Sequence, residues 1–397
     1  MEDKKLIHSI GKVAKREFNR ITERKTLYLL AVVLPFVVSL VLFLIFKNGM
    51  VHQIPVAIFD EDHSELSTMI TRFIQSTPSM SIVTYANSLE EVKQDFRRGK
   101  VQAAFHFPEN MEAIIKNGRQ TNVEIFINSM NLLNSNSVLN DGAKIIKTVS
   151  GGALVKKLGS AGVMQQQAMD IASPIKLDTK ILFNPGYNYE VYLVPALASF
   201  ALHMVTLLIA VLLVSAEFSE NTFADLLNTA DNKISAIIIG KAIPHLAIQS
   251  LNVIILLGVF FPLFNVSIAG SSLTAILFTI FFLAVIFFFG LMISSLIHDQ
   301  MLSTEAALFL TTPAFIFSGL SFPLRIMPVI HSTYAQLMPY TYFIEGFVKI
   351  YQMGAPVEYL TPQIIKLSIF LIISITITVP ALKYNLKKYG LHTERNK

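Results

Sequence analysis

Residues 27–46, LYLLAVVLPFVVSLVLFLIF, run for twenty positions without a charged side chain. At about 1.5 Å of helical rise per residue, that run spans about 30 Å, the thickness of a bilayer's hydrocarbon core. A helix apolar on every side needs lipid or a very large core around it. Composition decides for lipid: 53% of the 397 residues are hydrophobic and only 15% are charged, against about 25% charged in soluble domains. Five further apolar stretches, 191–214, 237–264, 272–297, 303–322 and 364–382, bring the expected number of spans to six.

The first span follows a basic leader, residues 1–26, carrying Lys4, Lys5, Lys12, Lys15, Arg16, Arg20, Arg24 and Lys25. Its apolar run exceeds a signal-peptide core, and no small-residue cleavage site precedes Lys47, so an uncleaved signal anchor is expected. Basic flanks mark the cytoplasmic side, which places the leader there. With six spans the tail, 383–397, returns to the same side, in agreement with Lys383, Lys387, Lys388, Arg395 and Lys397. The expected location is a bacterial cytoplasmic (inner) membrane, multi-pass, with both termini cytoplasmic.

Net charge is +5, but the basic residues flank apolar runs and form no stripe interleaved with aromatic platforms, which argues against nucleic acid. The absence of cysteine removes disulfides and thiolate metal sites. With no tryptophan, tyrosines and basic side chains must anchor the spans at the interfaces.

Residues 47–190 are too many for a connecting loop. The runs IPVAIFD, SIVTY, VQAAFHF and VEIFIN read as strands between helical patterns. From Asn131 to Asp170 the chain is rich in Ala, Leu, Lys and Gln and reads as long helices, despite glycines at 142, 151, 152, 159 and 162. The expected fold class is an α-helical membrane protein of six transmembrane helices with an inserted mixed α/β extracytoplasmic domain containing long helices. Residues 215–236 form a cytoplasmic loop in which Glu217, Glu220, Asp225 and Asp231 outnumber the one Lys, a bias suggesting a partner. Residues 323–363 are apolar but broken by Pro323, Pro328, Pro339 and Pro356, and read as short interfacial or re-entrant helices on the outer side.

Enzyme signatures are missing. The sequence has no G-x-x-x-x-G-K-[ST] phosphate loop, no H-E-x-x-H and no G-x-S-x-G. The chain reads as a non-enzyme that binds no cofactor and cannot use ATP by itself. His203 and His245 fall in or near spans, where ionisable groups are costly; they are candidates for a substrate path or proton relay, or neutral histidines bonded between helices. Lys241 is expected to snorkel to the interface, and Glu305 to sit there. Pro35, Pro195, Pro244 and Pro313 either kink their helices or shape them passively. Asp60, Glu61, Asp62 and His63 lack the spacing and glycine of a calcium loop and read as a helix cap; no metal site is expected.

Several segments resemble one family, the ABC-2 type permeases of multidrug-exporter kind with a large external domain between their first two spans. The leader REFNRITERKTLYLLAVVLPF is similar to that family's amphipathic entry helix. VAIFDEDHSELSTMI, with Asp60, Asp62, Ser64 and Ser67, resembles its first external strand and helix start. FNPGYNYEVYLVPAL, with Phe183, Asn184, Pro185, Val194 and Pro195, resembles its entry to the second span. AEFSENTFADLLNTADNKISAIIIGKAIP matches its coupling segment through Glu217, Thr222, Leu226, Leu227, Thr229, Gly240, Lys241 and Pro244, with Asn221 and Ala230 in place of the usual Gly and Pro. FIFSGLSFPLRIMPVIHSTYAQLMPYTYFIEGF carries the signature after the fifth span: Ser318, Gly319, Phe322, Pro323, Met327, Pro328, Pro339 and Glu345.

The resemblance implies that Glu217, Glu220, Thr222, Phe223, Leu226, Leu227 and Thr229 couple the chain to an ATP-binding subunit, which carries ATP and magnesium. Phe223, Leu226 and Leu227 make an apolar stripe suited to docking. It implies a second permease, as homo- or heterodimer, with a periplasmic adaptor as a further partner. The cargo would be amphipathic or hydrophobic: a drug, a lipid or a glycan-like molecule. Two other readings stay open on the residues alone: a membrane receptor or phage-docking protein, and a proton-coupled carrier without an ATPase partner. An intramembrane enzyme would need a nucleophile–base or metal set, which the spans do not offer.

Overall fold

A computed structural model describes residues 2–47, 53–130, 132–174, 180, 182–184 and 188–395. Pro185 and Lys397 lie outside the described residues, as do the side chains of Lys388 and Arg395. The chain divides into two compact units, Met1–Lys47 with Tyr189–Lys397, and Asn48–Asn188.

Helix α1 spans Glu2–Glu23. Helix α2, Lys25–Phe46, is the first of five helices, among the described residues, long and apolar enough to cross a membrane. One turn of α2, Leu29–Val33, is a π-helix.

In the second unit β1 (Ile54–Asp60), α3 (Glu65–Ser76), β2 (Met80–Ala86), α4 (Leu89–Arg97), β3 (Ala103–Phe107), α5 (Met111–Lys116) and β4 (Glu124–Ile127) follow in turn. The four-stranded sheet has the order β2-β1-β3-β4; β1 pairs parallel with β2 and β3, and β4 closes the edge antiparallel. Residues alternate between the two faces of β1. Ile54, Val56 and Ile58 meet Ile70 and Ile74 of α3 on one side, and Ala57 and Phe59 meet Val92 of α4 on the other. The Asp60 and Ser64 segment is a cap: Ser64 Oγ accepts from Ser67 N (3.2 Å), and Ser67 Oγ donates to Asp60 Oδ2 (2.7 Å). Helix α6 (Leu132–Ser160) continues through four of the glycines and brings Val138 and Val149 onto the α3 side; α7 (Gln165–Ala172) follows.

The first unit resumes with α8 (Tyr189–Ser219), the short α9 (Phe223–Thr229), α10 (Ile234–Leu263) and α11 (Ser272–Leu296). Between helices in lipid there is no water to expel, so association rests on close packing. Gly290 supplies it for α8 and α11, because a Cβ there would lie 2.6 Å from Ala210 Cβ.

The expected span over 303–322 is not one helix. The structure has α12 (Gln300–Thr311) and the four-residue α13 (Ala314–Phe317), separated at Pro313. Twelve residues reach about 18 Å, short of a bilayer core. Pro313 has no N–H to continue the ladder. Pro323, Pro328, Pro339 and Pro356 each start a short helix: Leu324–Ile326, α14 (Val329–Gln336), α15 (Pro339–Tyr351) and Val357–Leu360. Helix α15 is central to the core, burying Tyr340, Phe343, Ile344 and Phe347. Helix α16 (Thr361–Arg395) runs well past residue 382 into the basic tail.

Pro35 and Pro195 do not break their helices. Pro35 gives no N–H to the carbonyl of Ala31, which instead accepts from Asn252 Nδ2 of α10 (2.8 Å). Pro195 gives none to Val191, whose carbonyl accepts from Gln352 Nε2 (3.3 Å). In a bilayer such carbonyls must find partners on neighbouring helices.

Candidate functional site

Arg16, Arg20 and Arg24 recur every four residues on α1 and therefore share one face. Facing them are Glu217, in the last turn of α8, and Glu220 just beyond. Arg16 grips Glu217 as a fork, Nη1 to Oε1 at 2.6 Å and Nη2 to Oε2 at 2.8 Å. Arg20 donates to both Glu217 and Glu220. Arg24 holds Glu220 through two bonds of 2.5 Å.

Lys241 of α10 closes the cluster from the third side. Its Nζ donates to Glu17 Oε1 of α1 and to Glu217 Oε1 (2.9 Å). His245, one turn on, places Nε2 3.5 Å from Glu17 Oε2. Lys241 and Glu217 are 0% exposed and Glu17 2%. Lys241 therefore does not snorkel as expected, because two buried carboxylates satisfy its charge inside. Burial by itself would push the Glu17 carboxyl up; Lys241 and His245 together hold it well below the usual range. The Arg24 hydrogen bonds lower Glu220.

Gly240 makes this approach of helices possible. A Cβ there would lie 2.6 Å from Val13 Cβ and 3.1 Å from the Ile10 carbonyl, both on α1. The Gly240–Lys241 pair thus supplies close contact and charge at consecutive positions.

Helix α9 is tied to the same cluster. Thr222 Oγ1 donates to Glu217 Oε2 (2.5 Å), which accounts for the five-residue spacing of the Glu and Thr. Asn221 takes the left-handed conformation, φ 57°, in place of the family's glycine. Ser9 Oγ of α1 donates to Asp231 Oδ2 (2.6 Å) beyond the far end. The acidic bias of 215–236 is thus met largely by this chain's own α1.

The apolar stripe expected as an outward docking surface points inward. Phe223, Leu226 and Leu227 are 3%, 0% and 3% exposed, packed with Val13, Val214, Ile237 and Leu382. The amphipathic pattern was legible, but its apolar side is needed by the core. Outside lie Asp225 and Asn228, while Thr229 Oγ1 turns back to the Asp225 carbonyl (2.7 Å). Arg16, Glu17 and Arg20 were missed as functional residues. Their four-residue spacing was a signal, but their partners lie about two hundred residues away.

The two histidines separate. His245 belongs to the cluster. His203 is 1% exposed, stacked on Tyr340 (centroids 5.4 Å) and edged by Phe200 and Phe282, and neither ring nitrogen has a hydrogen-bond partner among the described residues. It is not bonded between helices. The signature residues build a separate turn after α13: Ser318 Oγ donates to the Phe315 carbonyl (2.7 Å), Gly319 has φ 90°, Pro323 precedes the Leu324–Ile326 turn, and Phe322 is 46% exposed. Tyr192 of α8 pins it through the Leu320 carbonyl (2.6 Å).

Buried ion pairs thus form a joint between three helices of a polytopic membrane protein. The chain belongs to the ABC-2 family transporter proteins, whose family profile matches residues 25–379. It is similar to the probable multidrug ABC transporter permease YbhR of Escherichia coli K12, 22% identical over 331 residues, covering 82% of this chain and 85% of the relative. It is likewise similar to the probable multidrug ABC transporter permease YbhS of the same strain, 22% identical over 351 residues, covering 85% and 87%. Family membership implies an ATP-binding partner and a dimeric arrangement.

Proposed function

We propose that this chain is the permease subunit of an ABC-2 exporter that moves an amphipathic or hydrophobic compound out of the cytoplasm or inner leaflet, driven by ATP hydrolysis on a separate subunit. In this reading α1, α9 and the joint lie in the cytoplasm, the Asn48–Asn188 unit lies outside, and α12 with α13 forms a broken fifth span. The observation that carries it is the Glu17–Lys241–Glu217 cluster, which locks α1, α8 and α10 together beneath α9. Removing one partner from a buried ion pair costs about 3–5 kcal/mol. A force on the outer face of α9 therefore moves the three helices as a block and does not peel α9 away. That suits rigid-body rocking driven by an ATPase.

Asp225 and Asn228 face outward on α9 and form the docking surface in this scheme. The full chain would be purified from its native membrane as wild type and as Asp225→Arg/Asn228→Arg, followed by mass spectrometry and an ATPase assay. The expected result is a co-eluting ATP-binding subunit with wild type, and its loss with the double variant at unchanged melting temperature. Retention by the variant would remove α9 from the contact, and no ATP-binding subunit with wild type would overturn the exporter reading.

A further inference from the structure

The order of the parallel strands in the Asn48–Asn188 unit reverses at β1. The connection through α3 places β2 on one side, and the return through α4 places β3 on the other. In open α/β sheets, ligands bind beyond the carboxyl ends of the strands at such a reversal. Beside it, along α3 and the carboxyl ends of β1 and β2, with Glu109 from beyond β3, lies a cleft of about 630 Å³, within the range of small-molecule sites, about 300–1,000 Å³.

The walls come from three strand ends and one helix: Glu61 after β1, Tyr85 and Asn87 at the end of β2, Glu109 after β3, and Arg72 and Gln75 on α3. A β-bulge aims the tyrosine. Val56 pairs with Ile82 but Ala57 pairs with Thr84, so Val83 is skipped and Tyr85 falls opposite Ile58, on the α3 side of the sheet. Without the bulge Tyr85 would face the α4 side. Its ring is 62% exposed.

The charges select the ligand. Asp60 is occupied by the cap, accepting from Asp62 N, His63 N and Ser67 Oγ. Glu61 is steadied by His106 Nε2 at 2.9 Å, through one oxygen. Glu109 adds a second carboxylate, and Arg72 is the one Lys or Arg in the lining among the described residues. A phosphate-bearing ligand would meet net negative charge and a β1–α3 turn without glycine, the reverse of a phosphate cradle. A hydrocarbon would meet mostly polar walls. Carboxylates, two side-chain amides, a guanidinium and an open aromatic face instead suit a ring bearing hydroxyls and amines.

We propose that this cleft binds a cationic saccharide: amine groups on Glu61 and Glu109, hydroxyls on Gln75, Asn87 and Arg72, and a sugar face on Tyr85. Binding needs neither nucleotide nor an ATP-binding subunit, so its failure leaves the exporter reading untouched.

The test is titration calorimetry on the full chain in nanodiscs, with a β-1,4-linked glucosamine tetrasaccharide as probe and its fully N-acetylated counterpart as the neutral control. Wild type is expected to bind the glucosamine form about tenfold or more tighter than the acetylated form, and Glu109→Gln and Tyr85→Ala are each expected to weaken it by a similar factor. Both side chains are exposed, so their variants should melt with wild type; Lys93→Ala, outside the cleft, should bind normally. No binding, equal affinity for the two sugars, or binding indifferent to both substitutions would overturn the proposal.

Discussion

Lys241 shows how much one side chain's surroundings change its meaning. An interfacial lysine could be lost with little effect, whereas this one neutralises Glu17 and Glu217 where water does not reach. Lys241→Ala takes from Glu17 its closest cation, while Glu217 keeps Arg16 and Arg20, and is expected to cost about 3–5 kcal/mol, whereas Lys241→Met/Glu17→Gln removes charge and countercharge together and should cost markedly less. Chemical denaturation of both variants in detergent checks this, and equal losses would show that packing, not charge, holds the joint. His203 is the opposite case. Its imidazole has aromatic neighbours but no hydrogen-bond partner among the described residues, so its polar atoms carry an uncompensated desolvation cost inside the bundle.

At the scale of elements, prolines and amides work in pairs. The Ala31 carbonyl at Pro35 is met by Asn252, and the Val191 carbonyl at Pro195 by Gln352. Asn252→Leu is expected to destabilise the fold by about 1–3 kcal/mol, the cost of a buried carbonyl without a donor. Pro35→Ala restores the helical N–H, so Pro35→Ala/Asn252→Leu should recover most of that loss in thermal melts. No recovery would mean that Asn252 acts through its Gln249 bond (3.1 Å) or through packing. Pro313 behaves differently: it falls where α12 has ended, and the chain turns there.

For the whole molecule, the two units should respond to opposite ends of the pH scale. Glu17 titrates below its ordinary value of 4.5 in the folded chain, so its contribution is full above 4.5 and falls away as pH drops toward the lowered value. His106 of β3 is bonded to Glu61 (2.9 Å) and Glu124 (3.1 Å); burial opposes its proton, but the two carboxylates prevail and raise it above 6.5. Its contribution is full below 6.5 and is lost as pH climbs through the raised value. Hydrogen exchange, corrected for its intrinsic pH dependence, should therefore quicken in α1 on acidification below 4.5 and in β1, β3 and β4 on raising pH above 6.5. Glu17→Gln should weaken the first response, leaving the part carried by Glu220, whose carboxyl the α1 arginines also lower, and His106→Gln should abolish the second; an unchanged first response or a surviving second one would refute the assignment.

Local period and local chemistry made much of the fold legible. Apolar run lengths marked five long helices; the runs IPVAIFD, SIVTY, VQAAFHF and VEIFIN contain or fall within the four strands; Asp60, Ser64 and Ser67 announced a cap; and the coupling and signature segments pointed to the family. Each of these is carried by residues within about thirty positions of one another. Tertiary structure decided the rest. The stripe Phe223, Leu226 and Leu227 was visible, but whether it faced a partner or this chain's core depended on α1 and α16 being there to cover it. Lys241 was visible, but its burial depended on carboxylates from two other helices. Periodicity fixes which face of a helix is apolar; only the packed arrangement determines what that face meets, because the partners are brought together by folding and not by neighbourhood in the chain.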